Sequence, residues 1–475
     1  MLQSDRVRGA DQGTGSQLSG APGAAADGSG ETGPRGVFSA RPDGSARRSL
    51  DRRKLLSLAG MTAAAVPLAA CGGSGGGANT TRSIRIGYVS PQTGSLAAFG
   101  AADKYVTEAM QAFFRRGLTV GSRTYPVDII VRDSQSDQNR AAQAASDLIF
   151  IDRVDLVLVA STPDTINPVS DQCEANEVPC ISTTAPWQSW FLGRGGDATR
   201  PFSWTYHFFW GIEDVIQVYK GMWGQLGTNK KVGVLWPDDS DGRAFANQTT
   251  GFPPAMASAG YTVVAPSSFP AGTTDFSAQV ALFKNKGVDV LTGVLSPVDF
   301  AAFWREAGRQ EFKPKIVTVA KALLFPQSVL DLGTSADNLS TEVWWSPYHR
   351  FRSSLTGATP EALANDFTAK TGKPWVQTLG FVHALYEVAA AALGQVDAVG
   401  DRKALAAAIG KLRINTIVGP LAFGGLSNIP KNVAKTPLVG GQWRRSDKGY
   451  DLKIVNTDVS NDNIAAQQDV LRPYV

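Results

Sequence analysis

From Ile84 onward, short apolar runs alternate with longer stretches in which apolar residues recur every three or four positions. That is the pattern of strands alternating with amphipathic helices. Ile84 to Val89 predicts a strand, then a turn over Ser90 to Gly94. A helix is expected from about Ala98 to Arg116, with Ala102, Val106, Ala109, Met110 and Phe113 on one face. Val127 to Val131 predicts a second strand and Arg140 to Ile151 an Ala-rich helix. Asp155 to Ala160 is continuously apolar after its first residue, as in a strand buried on both faces of a parallel sheet. Thr162-Pro163 opens the next helix, a cap residue before a first-turn proline, and Pro179 to Ser182 reads as a strand.

The alternation restarts after about residue 207. Helices are expected over 212–226, 244–259, 276–286 and 297–307, and strands over 231–236, 261–264, 288–294 and 315–319. A helical stretch follows (360–371, 377–394, 401–412), and short strands return near 436–443 and 453–455. Two successive βα runs predict an α/β fold with two Rossmann-like lobes. Ligands of such sheets sit beyond the carboxyl ends of the strands, which here is the cleft between the lobes. Lobe 1 is assigned to 83–206 and 338–422, and lobe 2 to 207–337 and 423–475.

The first eighty residues break this pattern. Residues 1–50 are rich in Gly, Ala, Ser, Arg and Asp with hardly any large apolar side chains, too little to offset chain entropy, so disorder is expected there. A long leader and a downstream translation start both account for it. Asp51-Arg52-Arg53-Lys54 then precedes a mild apolar run, Leu55 to Ala70, broken by Gly60 and Pro67 and too short for a membrane span. The paired arginines resemble a twin-arginine export signal, with an ordinary secretory signal as the alternative. Leu68-Ala69-Ala70-Cys71 resembles a bacterial lipobox, which makes Cys71 the expected lipidation site. Residues 51–71 are thus read as the signal and 72–82 as a Gly/Ser-rich flexible linker. The chain is expected to be exported and lipid-anchored in the cell envelope, on the outer face of the plasma membrane or in the periplasm.

Of 475 residues, 43% are apolar and 19% charged, enough for a buried core. The first seventy residues hold nine of the 46 basic and six of the 42 acidic side chains, leaving 37 and 36 in the remainder. A body so close to neutral offers no electrostatic footprint for nucleic acid. His207, His349 and His383 are the only histidines, and they fall in no metal-ligand spacing; there is no C-x-x-C, no G-x-S-x-G elbow and no Walker loop. Asp238, Asp239 and Asp241 lack the distal glutamate of a Ca²⁺ loop. No enzyme activity, metal or cofactor is therefore expected. With Cys71 lipidated, Cys173 and Cys180 remain across a helix–strand turn, as a disulfide or as two free buried thiols.

The order of elements and three strings resemble the type I periplasmic binding proteins, in particular the branched-chain amino acid (leucine/isoleucine/valine) receptors. The strings are Ile84–Val89 followed by Thr93-Gly94-Ser95-Leu96-Ala97-Ala98-Phe99-Gly100, then Val154 to Ser161, then Val178 to Pro186. The resemblance covers the body from about Ile84 to the C-terminus. It implies two lobes joined by three hinge crossings, here near 205–211, 322–345 and 420–440. It also implies a small-molecule solute trapped by closure and an ABC-type permease as partner, with the receptor a monomer. By the resemblance, Ser161, Thr162, Thr183 and Thr184 would bind a ligand's carboxylate and ammonium, with Thr162 serving equally as a helix cap. Phe99 would line the first-lobe side.

The second lobe departs from that pattern. Asp241 stands in the place of a tyrosine, beside Asp239; Ser296 follows the strand where an aromatic is common; and Lys321 occupies the place of an acid, where it would attract an anion. Trp187 and Trp210, with Trp190, Trp204, Trp236, Trp344 and Trp345, fall near strand ends or crossings. Such rings suit a flat apolar ligand, or else lobe packing. An aromatic or carboxylate compound thus stands beside a branched-chain amino acid as the expected solute. A ligand sensor of the same fold, acting on a signalling partner, is the alternative to transport.

Overall fold

The computed structural model describes residues 82–424, 427–447, 449–457 and 464–474. The leader, the export signal, Cys71 and the linker up to Thr81 lie outside the described residues. Two sheets organise the body. The first is six-stranded and parallel, in the order Val433–Ala434, Thr205–Phe208, Cys180–Thr183, Leu156–Ala160, Ile84–Ser90, Val127–Asp133. Its central strand, Leu156–Ala160, is buried at every position, as a run covered by helices on both faces must be. Helix Thr378–Leu393 is buried almost all round, and it packs on this sheet and on helix Asp103–Phe113.

The second sheet has seven strands, in the order Gly449–Asn456, Val439–Ser446, Ser340–Val343, Ile316–Lys321, Val290–Leu295, Lys231–Leu235, Thr262–Val264. The last five of these are mutually parallel, whereas Val439–Ser446 runs antiparallel to both its neighbours. Phe276, Phe283, Phe300, Phe303 and Trp304 fill one side of this sheet in a chain of edge and stacked contacts.

The chain passes between the sheets three times. It leaves strand Thr205–Phe208 through 209–211 to helix Ile212–Trp223, which packs on the second sheet. It leaves Ser340–Val343 at Trp344, and it leaves Val433–Ala434 through 435–438 to reach Val439. Each crossing lies within an expected hinge segment, but the lobe limits differ from those expected. Residues 207–208 and 433–434 belong to the first sheet, and 340–343 to the second. Pairing decides this: Ser340–Val343 bonds to Ile316–Lys321 and Val439–Ser446, and its apolar pattern alone does not say on which sheet it lies.

Two expected helices are also shorter. The one expected from Ala98 begins at Asp103, because 94–101 forms successive tight turns closed by Ala97 N–Gly94 O and Phe99 N–Leu96 O. Gly94, at φ +90°, starts them. The one expected over 244–259 is two, Ser240–Phe245 and Phe252–Ser258, since Pro253 and Pro254 fit only a first turn. Cys173 and Cys180 are free and fully buried in the apolar cluster under the first sheet. The structure places both as free thiols, and burial raises the Cys173 pKa well above its usual range. Replacing Phe303 by Ala should cost about 3–5 kcal/mol, read as a lower urea midpoint at unchanged slope; an unchanged midpoint would show that these rings do not carry the second lobe.

Candidate functional site

The carboxyl ends of the central strands of both sheets turn toward one cleft. Phe99, Thr162, Thr184, Pro186, Phe209 and Trp210 line it from the first lobe and first crossing. Asp241, Phe245, Val294, Ala320, Lys321, Glu342 and Trp344 line it from the second, around an empty volume of ≈ 290 Å³. Its floor is built by the crossings themselves. Phe209 lies 4.7 Å from Trp210 and 4.9 Å, edge-on, from Trp344 between ring centroids.

Two wall residues hold backbone geometry that side chains seldom adopt. Thr184, following strand Cys180–Thr183, has φ +73°, and Lys321, ending its strand, has φ +64°. Such positions cost of order 1–3 kcal/mol each and concentrate where ligands bind. Thr184 is secured by donating from Oγ1 to Ser161 O at 2.7 Å.

Three buried polar atoms on residues lining the cleft have no hydrogen-bond partner among the described residues: Thr162 Oγ1, Trp210 Nε1 and Asp241 Oδ1, and Ser161 Oγ, behind the lining, is a fourth; Trp344 interacts with Glu342. Thr162 precedes helix Pro163–Ala175 without a side-chain capping bond, so of its two expected roles the cap is not taken. Its hydroxyl remains at a helix N-terminus, where N–H groups and dipole favour a negative group. A buried, unpaired polar atom costs about 1–3 kcal/mol, and three in the lining of one cleft suit a site that is completed by a ligand.

The second-lobe wall carries charge. Lys321 Nζ lies 3.0 Å from Asp241 Oδ2 and 3.3 Å from Asp239 Oδ2. Burial opposes the Lys321 charge, but Asp241, Asp239 and Asp164 together hold its pKa above the usual lysine range. Burial pushes Asp241 up to about 6, against the pull of Lys321 and with Asp239 and Asp164 adding to the rise. Asp239 also caps helix Ser240–Phe245 through Gly242 N at 2.7 Å. Glu342 is raised by burial although Tyr219 donates to it at 2.5 Å. The expectation that Lys321 offers a free positive charge is therefore corrected: two carboxylates already occupy it.

Other expected site residues are placed elsewhere. Thr183 Oγ1 donates to Phe208 O at 2.6 Å within the sheet. Ser296 caps helix Pro297–Arg309 and donates to Asp299 Oδ2 at 2.8 Å. Trp187 donates to Glu213 at 3.1 Å beside the first crossing; none of the three lines the cleft. Trp190 stacks on His207 in the first-lobe core, and Trp236 packs with Phe245 and Phe252. Residues not singled out as site candidates in the sequence include Phe245, Val294, Ala320 and Glu342. Phe209 was likewise not singled out, and Trp344 was named only as one of the aromatic rings near strand ends or crossings.

The lobes touch across the cleft mouth. Ser240 Oγ donates to Asp164 Oδ1 at 3.0 Å, and Phe99 meets Phe325 edge-on at 4.9 Å. Lys435, in the third crossing, lies 2.7 Å from both Glu213 and Asp214 at the start of the helix after the first. Among the described residues no group of three His, Cys, Asp or Glu could hold a metal ion.

A family model described as periplasmic binding protein matches residues 83–447. The structure is similar to a leucine binding protein from Thermotoga maritima (19% identity, TM-score 0.64, 79% of this chain and 99% of that one). It is also similar to a branched-chain amino acid transporter substrate binding protein from Streptococcus pneumoniae, in complex with isoleucine (16% identity, TM-score 0.60, 79% and 100%). A third similar structure is an ABC transporter solute binding protein from Rhodopseudomonas palustris BisB5, in complex with 3,4-dihydroxybenzoic acid (16% identity, TM-score 0.62, 82% and 98%).

Ser240→Ala removes a hydrogen bond to a carboxylate across the cleft, worth about 1.5 kcal/mol. It should shift the open–closed ratio roughly tenfold toward open, seen as a larger radius of gyration in X-ray scattering of the unliganded protein; an unchanged radius would show that this contact does not hold the lobes together.

Proposed function

The chain belongs to the periplasmic binding protein family, and from that premise we propose that it is the exported, lipid-anchored solute receptor of an ABC-type importer. It takes up a small organic molecule between its lobes and presents the closed form to a permease. The observation that carries this reading is the cleft: hydroxyl, indole and carboxylate atoms without partners, enclosed by aromatic rings from both lobes and from the crossings. A ligand that completes those bonds contacts both lobes only when they are together, so binding favours closure. Of the space in the cleft only ≈ 20 Å³ is open to a water-sized molecule, room for about one water, so a solute enters only when the lobes part.

We read the cleft as a binding site, and none of the three histidines serves it. His207, His349 and His383 are buried, and burial lowers each pKa, to about 3, 4 and 4. All three stay neutral at pH 7 and lie outside the cleft lining. Among the described residues no helix is long and apolar enough to cross a membrane; attachment is assigned to Cys71, in the Leu68–Cys71 segment and followed by the Gly/Ser-rich linker. A receptor tethered in this way acts as a monomer beside its permease.

A thermal-shift screen of amino acids, aromatic acids, amides and short-chain acids should return hits, since a ligand at 100 times its Kd adds about 2.7 kcal/mol to the native state. Scattering with a hit present should show compaction; a proven ligand that leaves the radius of gyration unchanged rules out trapping by closure. Cys71→Ser expressed in a bacterial host should lose incorporation of labelled fatty acid and leave the membrane fraction. Retention of both would show that Cys71 is not the anchor.

A further inference from the structure

We propose that the protein holds a second ligand site, outside the cleft, in the pocket between the chain that follows the second crossing and the C-terminal segment, and that this site takes a small organic anion with a flat apolar body. The inference goes beyond solute reception and does not depend on it.

The pocket has ≈ 490 Å³ open to water-sized molecules, within the range of about 300–1,000 Å³ for small-molecule sites. Residues 347–352 form one wall, Thr359 and Glu361 at the start of helix Pro360–Thr371 a second, and Ala466 and Gln468 a third. These walls are fixed to one another. Arg350 N donates to Ile464 O at 2.9 Å, and His349 pairs with Ala465 in an isolated β-bridge. Behind them, the two sides belong to different lobes. Ser354 N donates to Glu387 Oε1 at 2.8 Å, on the helix Thr378–Leu393 that packs on the first sheet. Gln468 N donates to Ile454 O at 2.9 Å, on the edge strand of the second sheet.

The polar groups left over at these walls are donors. His349 is 4% exposed; its Nδ1 lies 2.9 Å from Ser346 Oγ, and its buried Nε2 has no hydrogen-bond partner among the described residues. Ser346 Oγ accepts from Tyr348 N at 3.3 Å, so its own proton is directed to Nδ1, which leaves Nε2 as an N–H. Burial lowers the His349 pKa to about 4, so at pH 7 the ring donates without adding charge. Arg352 gives one N–H to Gly357 O at 2.7 Å. Neither Arg352 nor Arg350 has a carboxylate partner among the described residues. Gln468 Oε1 accepts from Ile454 N at 3.2 Å, leaving its amide N–H groups. Against the two guanidinium groups stands one carboxylate of the lining, Glu361. A guanidinium presents its N–H groups as a planar fork that matches the oxygens of a carboxylate or phosphate. Pro347, Phe351 and Tyr348, the last 39% exposed, offer apolar faces to the rest of the molecule.

The test is calorimetry on the full protein with phenyl phosphate and benzoate, each compared with uncharged benzyl alcohol. At least one anion should bind, and benzyl alcohol about 10–100-fold more weakly. Arg350→Gln and Arg352→Gln, made separately at exposed positions, should each weaken the anion about tenfold without lowering the melting temperature of the unliganded protein. Arg350→Lys, which keeps the charge and loses the fork, should fall between wild type and Arg350→Gln, and it serves where a glutamine variant folds poorly. If neither anion binds, or if benzyl alcohol binds as tightly, the proposal falls. Anion binding that all the arginine variants leave unchanged lies elsewhere, as in the cleft, and overturns the proposal while solute reception stands.

Discussion

Where the first and second crossings pass each other, Phe209 and Trp210 pack against Trp344, and Phe381 of the buried helix closes the group at 5.0 Å from Phe209. Two sheets whose central strands are parallel must be linked near their carboxyl ends if both are to face one cleft. The aromatic group makes that link dense. It is at once the floor of the cleft and the packing between lobes, so a molecule resting on it touches the parts that bend. Lys435, bridging Glu213 and Asp214, ties the third crossing to the first and keeps the hinge a unit.

Above that floor the two walls differ in chemistry. The first-lobe wall offers neutral hydroxyls at the start of a helix, with Thr162 uncapped and Thr184 held at positive φ by Ser161. The second-lobe wall is ionic, and its lysine is neutralised before any solute arrives. Burial raises Asp241 because few waters remain to solvate its charge, and the neighbouring carboxylates reinforce the rise. A site with neutral donors on one side and excess negative charge on the other is asymmetric, and a solute has one favourable orientation in it.

Much of this was legible before any coordinates. The apolar runs located most strands of both sheets, because a strand buried on two faces has little room for polar residues, as Leu156–Ala160 shows; Thr205–Phe208, Ser340–Val343 and Val433–Ala434 were not among them. Phe99, Thr162, Thr184, Trp210, Asp241 and Lys321 were all candidates, and all line the cleft. They were accessible because a strand's carboxyl end can be read from where its apolar run stops. The proposed export and lipidation signals rest on the linear sequence alone, since Cys71 and the residues before it lie outside the described residues.

What the linear pattern did not contain was partnership. Thr183 and Ser296 have the same kind of hydroxyl as Thr162, yet Phe208 O and Asp299 engage theirs. Lys321 read as a free cation until Asp239 and Asp241, some eighty residues earlier in the chain, came within 3.3 and 3.0 Å. Glu342 and Phe245 reach the cleft only because Ser340–Val343 pairs in the second sheet and because the helix expected over 244–259 breaks before Pro253. Sequence by itself determined the alternation of elements, the two lobes and the residue types at the strand ends, since these follow from local burial. Tertiary structure alone decided which charges cancel and which polar atoms stay unpaired, since both depend on groups brought together from distant parts of the chain.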